Sequence, residues 1–138
     1  MVLCYVSLRE EVETRRLIDW MLKHGKRVVI PRVRGTGLEL SELRDPSTDL
    51  IKGAFGVLEP SPAAFRPVAL RAIDLVLVPG VAFDRHGARL GRGGGFFERL
   101  LGRLPARSTT IGLCFDFQLL DRLPTLAHDW AVHRVLSA

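Results

Sequence analysis

Three consecutive stretches at the start of the chain fix the class of fold it can adopt. Residues 1–6 (Met-Val-Leu-Cys-Tyr-Val) form an apolar run of strand length. From Thr14 onward the apolar residues Leu17, Ile18, Met21 and Leu22 recur at steps of three and four, the period of a helix with one buried stripe. Lys23 and His24 suit the negative end of that helix's dipole, and Gly25 supplies the stop. Residues 27–30 then read as a second strand, closed by Pro31. Strand, helix and strand in close succession make a βαβ unit, which demands a parallel sheet with helices on its faces. The helix start has two competing signals: Ser7-Leu-Arg-Glu10 has the spacing of a capping box, and Glu13-Thr14 would serve equally.

The remainder fits the same class. Residues 34–70 read as an edge hairpin or ordered loop: Leu38-Glu-Leu40 alternates, Asp45-Pro46-Ser47 is turn chemistry, and Pro60, Pro62 and Pro67 break regular structure. Phe55, Val57, Leu58 and Phe65 ask to be buried there. Residues 73–78 (Ile-Asp-Leu-Val-Leu-Val) are a central strand ending at Pro79-Gly80. A short stub at 81–83 and a turn at Asp84-Arg-His-Gly87 follow. Phe97, Leu100, Leu101 and Leu104 form a second helical stripe, 109–115 a core strand, 118–126 short helix or turns, and 131–136 a last strand. The expectation is a single α/β domain over 1–138, a three-layer αβα sandwich with a mostly parallel or mixed sheet of the open, doubly wound type. At 138 residues and 47% apolar content the chain is long and apolar enough to bury a core. No apolar run approaches the ~20 residues of a membrane helix. Two cysteines, Cys4 and Cys114, build no disulfide framework. A soluble cytoplasmic protein with no membrane partner is expected.

Function is first hinted at by charge. The net charge is +5. Arg85, Arg89, Arg92, Arg99, Arg103 and Arg107 fall in a stretch whose one acid is Glu98. They surround Gly91-Arg-Gly-Gly-Gly95, which leads directly into the second helix. Glycines let backbone approach a ligand closely and let several N–H groups converge on one anion; the helix start adds more. Arg89 and Arg92 supply forked donors to phosphate oxygens. No Lys-Ser/Thr follows the glycines, so this is not a Walker A loop, and Phe96 breaks the dinucleotide fingerprint. Read from the residues alone, the segment is an anion cradle or a purely structural tight turn.

Asp74-Leu-Val-Leu-Val-Pro-Gly-Val-Ala-Phe-Asp84, followed by Gly87-Ala-Arg-Leu-Gly-Arg-Gly-Gly-Gly-Phe-Phe-Glu-Arg99, resembles the signature of the 5-formyltetrahydrofolate cyclo-ligase family. Tyr5-Val-Ser-Leu ahead of Glu11-Val-Glu-Thr14, Gly56-Val-Leu-Glu-Pro60, Ile111-Gly-Leu-Cys-Phe-Asp-Phe-Gln118, Leu123-Pro124 and His128-Asp129 fall in the family's order, so the resemblance spans essentially the whole chain. It implies conversion of 5-formyltetrahydrofolate to 5,10-methenyltetrahydrofolate, dependent on ATP and Mg2+, through a phosphorylated formyl oxygen. It implies that Gly91, Gly93, Gly94, Gly95 and Phe96 cradle ATP phosphates with Arg89, that Arg92 and Glu98 serve the chemistry, that Glu98 holds metal, and that Glu11 and Phe55 contact folate.

Two departures from the family pattern stand in the sequence. Family members lead with helices carrying a Lys and an Arg that reach the nucleotide; this sequence opens at the first strand, so an N-terminally shortened domain is expected. Phe96-Phe97-Glu98 stands where the family has Tyr-Tyr-Asp, which removes two hydroxyl donors and lengthens the carboxylate by one methylene. His133 stands at a usually acidic position.

The alternatives are a non-catalytic folate or nucleotide binder, and a nucleic-acid-binding protein. The second lacks exposed aromatics interleaved with its arginines, which argues against nucleic acid as a partner. Other residues have ordinary readings. Glu11 serves as a first-turn helix acid, Glu98 as a surface carboxylate paired with Arg99 or Arg103, and Asp84 as a turn acid. Trp20 and Trp130 suit packing, and Cys114 an inert core. The chain is a monomer if the sheet face is covered internally and a homodimer otherwise.

Overall fold

A computed structural model describes residues 1–124 and 130–138. The elements run β1 (Val2–Cys4), α1 (Arg15–Lys23), β2 (Val28–Arg34), β3 (Gly37–Leu43), the one-turn α2 (Pro46–Asp49), β4 (Leu50–Lys52), β5 (Leu58–Pro60), β6 (Leu75–Val78), β7 (Ala82–Asp84), β8 (Arg89–Leu90), α3 (Phe96–Leu101), β9 (Thr109–Cys114), β10 (Leu119–Leu120) and β11 (Arg134–Ser137). Among the described residues the main sheet has six strands in the order β11-β9-β6-β1-β2-β3. All are parallel except β3, which pairs antiparallel with β2. The α/β class and mixed sheet expected from the sequence are therefore present. Strand alternation splits the core in two. One face (Cys4, Val28, Ile30, Leu43, Leu77) packs on Ile18 and Met21 of α1. The opposite face (Leu3, Val29, Leu40, Val76, Val78) packs on Leu100 and Leu101 of α3.

Local chemistry accounts for the places where the elements differ from expectation. Pro31 does not close β2, which continues to Arg34. β1 pairs with β2 only through Val28 and Val29, so from Pro31 on, that side of β2 has no paired strand among the described residues. Opposite Pro31, the Leu40 carbonyl accepts outward from Val68 N–H, which makes Pro31–Leu40 a non-hydrogen-bonded pair. The missing proline N–H thus breaks no ladder bond. Ser7-Leu-Arg-Glu10 starts no helix. The Ser7 and Thr14 hydroxyls instead accept from each other's backbone N–H at 3.0 Å, and buried Thr14 donates to the Tyr5 carbonyl at 2.7 Å. The loop between them is closed like a clasp, and the helix begins just after Thr14.

Residues 34–70 resolve into the β2–β3 hairpin, the Asp45-capped turn α2 and the β4–β5 hairpin. Phe55 is not buried: it is 78% exposed at the β4–β5 tip, with a left-handed φ of 59°. Leu17 and Trp20 also lie partly outside, Trp20 stacked on His24. α3 ends at Leu101, and Leu104 packs on the core beyond it. Residues 116–120 form a 3-10 turn and β10, and β10, β7 and β8 make a small second sheet. Phe83 of that sheet is fully buried with its ring against Gly112, where a Cβ would come within 2.3 Å of it. The positions His128 and Asp129, and the end of the expected 118–126 segment, lie outside the described residues.

Candidate active site

From β1 the chain turns to one side of the sheet, into β2, and from β6 to the other, into β9. That reversal opens a crevice beyond the carboxyl ends of β1 and β6, the place where an open α/β sheet has room for a ligand. A cleft of about 350 Å³ lies there. Tyr5 and Val6, just past β1, and Pro79 and Gly80, just past β6, line its sheet end. The β4–β5 hairpin contributes Phe55 and Glu59, and the segment after β8 contributes Arg92 and residues 94–98.

The clasped loop after β1 brings Glu11 to this cleft. Glu11 Oε1 accepts from Leu8 N–H at 2.7 Å, and Tyr5 Oη donates to the Val12 carbonyl at 3.3 Å. Burial, with Glu11 nearby, raises the Tyr5 phenol well above its ordinary value, so it stays neutral and acts as a donor. Glu11 is thus outside the first turn of α1 and hydrogen-bonded within the loop that lines the cleft.

The glycine segment adopts backbone conformations that its composition allows. Gly93 and Gly95 have φ of 100° and 73°, and Gly95 is the residue from which α3 starts. Among the described residues, no backbone N–H of positions 91–95 donates to a protein acceptor. Gly91 has a different use: a Cβ there would lie 2.7 Å from Glu98 and 2.9 Å from Arg89. Its bare α-carbon lets that pair lie against the loop.

Arg89 and Glu98 form the polar centre of the cleft. The Arg89 side chain is 7% exposed; its Nη1 donates to Glu98 Oε1 at 2.8 Å and its Nε to the Pro79 carbonyl at 2.6 Å. Burial pulls the guanidinium below its ordinary value and Glu98 opposes the shift. The ring of Phe97 lies 5.4 Å from the guanidinium carbon. Glu98 therefore pairs with Arg89, not with Arg99 or Arg103. Arg99 instead donates to the Gly94 carbonyl at 2.9 Å, steadying the loop. Arg92 is exposed and reaches Glu10 at 3.0 Å across the cleft mouth. The Phe55 ring lies 6.3 Å from that of Phe96, so the hairpin tip and the glycine loop meet over the cleft. A second, wider hollow of about 740 Å³ lies between β3 and α3, includes Trp130, and meets the cleft at Leu38, Phe96 and Glu98.

The sequence model of the 5-formyltetrahydrofolate cyclo-ligase family matches residues 1–138. The chain is 36% identical over 140 residues to the 5-formyltetrahydrofolate cyclo-ligase of Mycolicibacterium smegmatis, covering 99% of this chain and 72% of that one. This chain belongs to the 5-formyltetrahydrofolate cyclo-ligase family. The mouse cyclo-ligase is 32% identical over 142 residues, covering 96% of this chain and 70% of the relative. Among solved structures, the 5,10-methenyltetrahydrofolate synthetase of Aquifex aeolicus superposes with a TM-score of 0.83 at 35% identity, over 99% of this chain and 67% of that one. A Mycoplasma pneumoniae synthetase at 20% identity and a TM-score of 0.72 shares the fold.

Within this cyclo-ligase family chain, one cleft gathers the residues singled out in the sequence. Glu11, Phe55, Arg89, Arg92, Gly94, Gly95, Phe96 and Glu98 line it, and Gly91 and Gly93 belong to the same loop. Three residues have a part in the site that the sequence did not assign. Tyr5 and Glu10 act through contacts that only the folded chain makes. Glu59 sat in view within Gly56-Val-Leu-Glu-Pro60 but carried no spacing signal. His133 takes no part in the cleft lining; its Nδ1 accepts from Thr110 N–H at 2.9 Å, tying the approach to β11 onto β9. Asp84 is buried and accepts from His86, Ala88 and Leu123 N–H groups, so it is a turn acid as expected. Buried Cys4 has its thiol pushed up to about 12 by burial, and Cys114 is likewise inert.

Proposed function

We propose that this chain cyclises 5-formyltetrahydrofolate to 5,10-methenyltetrahydrofolate, with ATP as phosphoryl donor and Mg2+ as its counter-ion. The observation that carries the reading is the convergence of unspent glycine-loop amides and the Arg89–Glu98 pair on a largely apolar cleft. The reaction needs both halves. A formyl oxygen is a poor leaving group, so the γ-phosphoryl passes to it first; N10 then attacks the formyl carbon and gives up its proton to water, and the oxygen departs with phosphate. Positioning and charge stabilisation are what a protein adds to phosphoryl transfer.

In this reading Gly91, Gly93, Gly94, Gly95 and Phe96 present N–H groups to the phosphates. Arg92 leaves Glu10 to join them, and Arg89 holds Glu98 in place. Glu11 and Phe55 hold the folate. No group of three or more metal-ligating side chains occurs among the described residues. Glu98 keeps Oε2 outside the Arg89 hydrogen bond. That fits Mg2+, which takes one or two carboxylates and fills its remaining positions with phosphate oxygens and water. The ion would neutralise charge on the transferring phosphoryl group.

The test is formation of methenyltetrahydrofolate from 5-formyltetrahydrofolate. Turnover should require both ATP and Mg2+, and Glu98→Gln should lower kcat by about 10²-fold with folate affinity retained. Folate and nucleotide binding without turnover in the parent chain would establish the non-catalytic reading, which the missing hydroxyls of Phe96 and Phe97 favour.

A further inference from the structure

Three carboxylates line the cleft: Glu11, Glu59 and Glu98. Two are engaged by the protein, Glu11 by Leu8 N–H and Glu98 by Arg89. Glu59 has no hydrogen-bond or ion-pair partner among the described residues. It is half-buried on β5, opposite Ile51 of β4, in a cleft whose other lining is mostly apolar. Its side chain fills space that a glycine leaves open. The carboxyl carbon lies across the bare α-carbon of Gly53, where a Cβ would come within 2.0 Å of it. A charged group held at an apolar wall without a donor gains most from a ligand that brings donors of its own.

We propose that Glu59 is the residue that recognises the aminopyrimidine edge of the substrate's pterin ring. This rests on the reading of the cleft as the folate site and adds to it the group that orients the ring. The pterin carries N3–H and a 2-amino N–H side by side, two parallel donors that match the two oxygens of one carboxylate. Glu11 already has one of its oxygens engaged by Leu8 N–H, whereas neither oxygen of Glu59 meets a protein donor among the described residues. Anchoring the ring's far edge at Glu59 would orient the bicyclic system within the cleft, leaving the opposite end of the ligand toward the glycine loop. Glu59 is then a specificity-determining residue, and Gly53 is the position that lets it lie flat.

The experiment compares binding of 5-formyltetrahydrofolate with that of its analogue in which the 2-amino group is replaced by methyl. It uses the parent chain, Glu59→Gln, Gly53→Ala and Glu11→Gln, with ATP affinity measured alongside. The parent should prefer the amino form by about 100-fold. Glu59→Gln, whose amide faces the ring with one donor, should reduce the preference to within about threefold. Gly53→Ala should reduce it similarly by displacing an unaltered Glu59. ATP affinity should stay unchanged in both, which also reports an intact fold. Retention of the preference in Glu59→Gln, or its loss in Glu11→Gln alone, would overturn the proposal while leaving the folate site standing. A parent chain that binds neither pteridine would overturn the folate reading itself.

Discussion

Arg89 lies at the base of the cleft with one arm on Glu98 and its Nε on the Pro79 carbonyl, so a single planar fork ties β6's exit to α3. A lysine carries its donors on one nitrogen and cannot reach both acceptors from two separate atoms. Arg89→Lys should therefore fold but lower kcat by about 10²-fold with little change in folate KM, measured by steady-state turnover; unchanged kcat would remove Arg89 from the account. A different pair governs stability. Asp49 is 5% exposed, accepts from Arg44 and Asp45 N–H, and meets Arg66 at 2.8 Å. The Arg66 hydrogen bond, foremost, pulls its carboxyl well below the usual carboxylate range. For Asp84, burial pushes the carboxyl up, but three backbone N–H groups together hold it below its ordinary value. Both groups are more acidic folded than unfolded. Their contribution is complete above the unfolded carboxyl value near pH ~4 and fades as acid protonates the folded carboxylates. Urea midpoints should hold steady from neutral pH to about 5 and fall steeply below ~4. Asp49→Asn should cost about 2 kcal/mol at neutral pH and make the acid fall shallower. An equally steep fall in that variant would contradict the assignment.

At the scale of elements, the β4–β5 hairpin carries strain at its tip, beside the cleft. Phe55 has a left-handed backbone, uncommon for a bulky residue and costly by about 1–3 kcal/mol. In return its exposed ring lies over the cleft beside Phe96. Phe55→Gly should leave the urea midpoint level or raised and increase folate KM about tenfold; a lowered midpoint would show that the ring supports the fold instead. This residue also marks a limit of the sequence. Hydropathy sends a phenylalanine inward, and only the family resemblance implied that Phe55 meets a ligand. Pro31 shows a second limit: proline ends a strand only where its N–H is needed, and a non-hydrogen-bonded position beside an ended β1 needs none. By contrast α1, β6, α3 and β9 were plain in the sequence, because their apolar periods come from the same burial that the sheet imposes.

Across the whole molecule, the site sits where the order of the strands reverses, and this is why residues from five separate segments share one cleft. Positions 5–11, 31–38, 54–59, 79–80 and 89–98 converge there although no spacing rule links them. The glycine segment was legible because its chemistry is local. Glu59, Tyr5 and the Glu10–Arg92 contact were not: Arg92 is far along the chain from Glu10, Tyr5 meets Val12 only once the loop is clasped, and Glu59 stands out by having no protein partner among the described residues. Among the described residues no helix is long and apolar enough to cross a membrane. α1 and α3 cover opposite faces of the sheet, leaving its carboxyl edge as the opening.

The central claim is that the backbone N–H groups of positions 91–95 are reserved for phosphate. Amide NMR of the 15N-labelled chain, titrated with ATP and Mg2+, reads those groups directly. The account predicts that Gly91, Gly93, Gly94 and Gly95 show the largest shifts and gain protection from exchange on saturation. Nucleotide binding that moves other amides and leaves these four in place would contradict it.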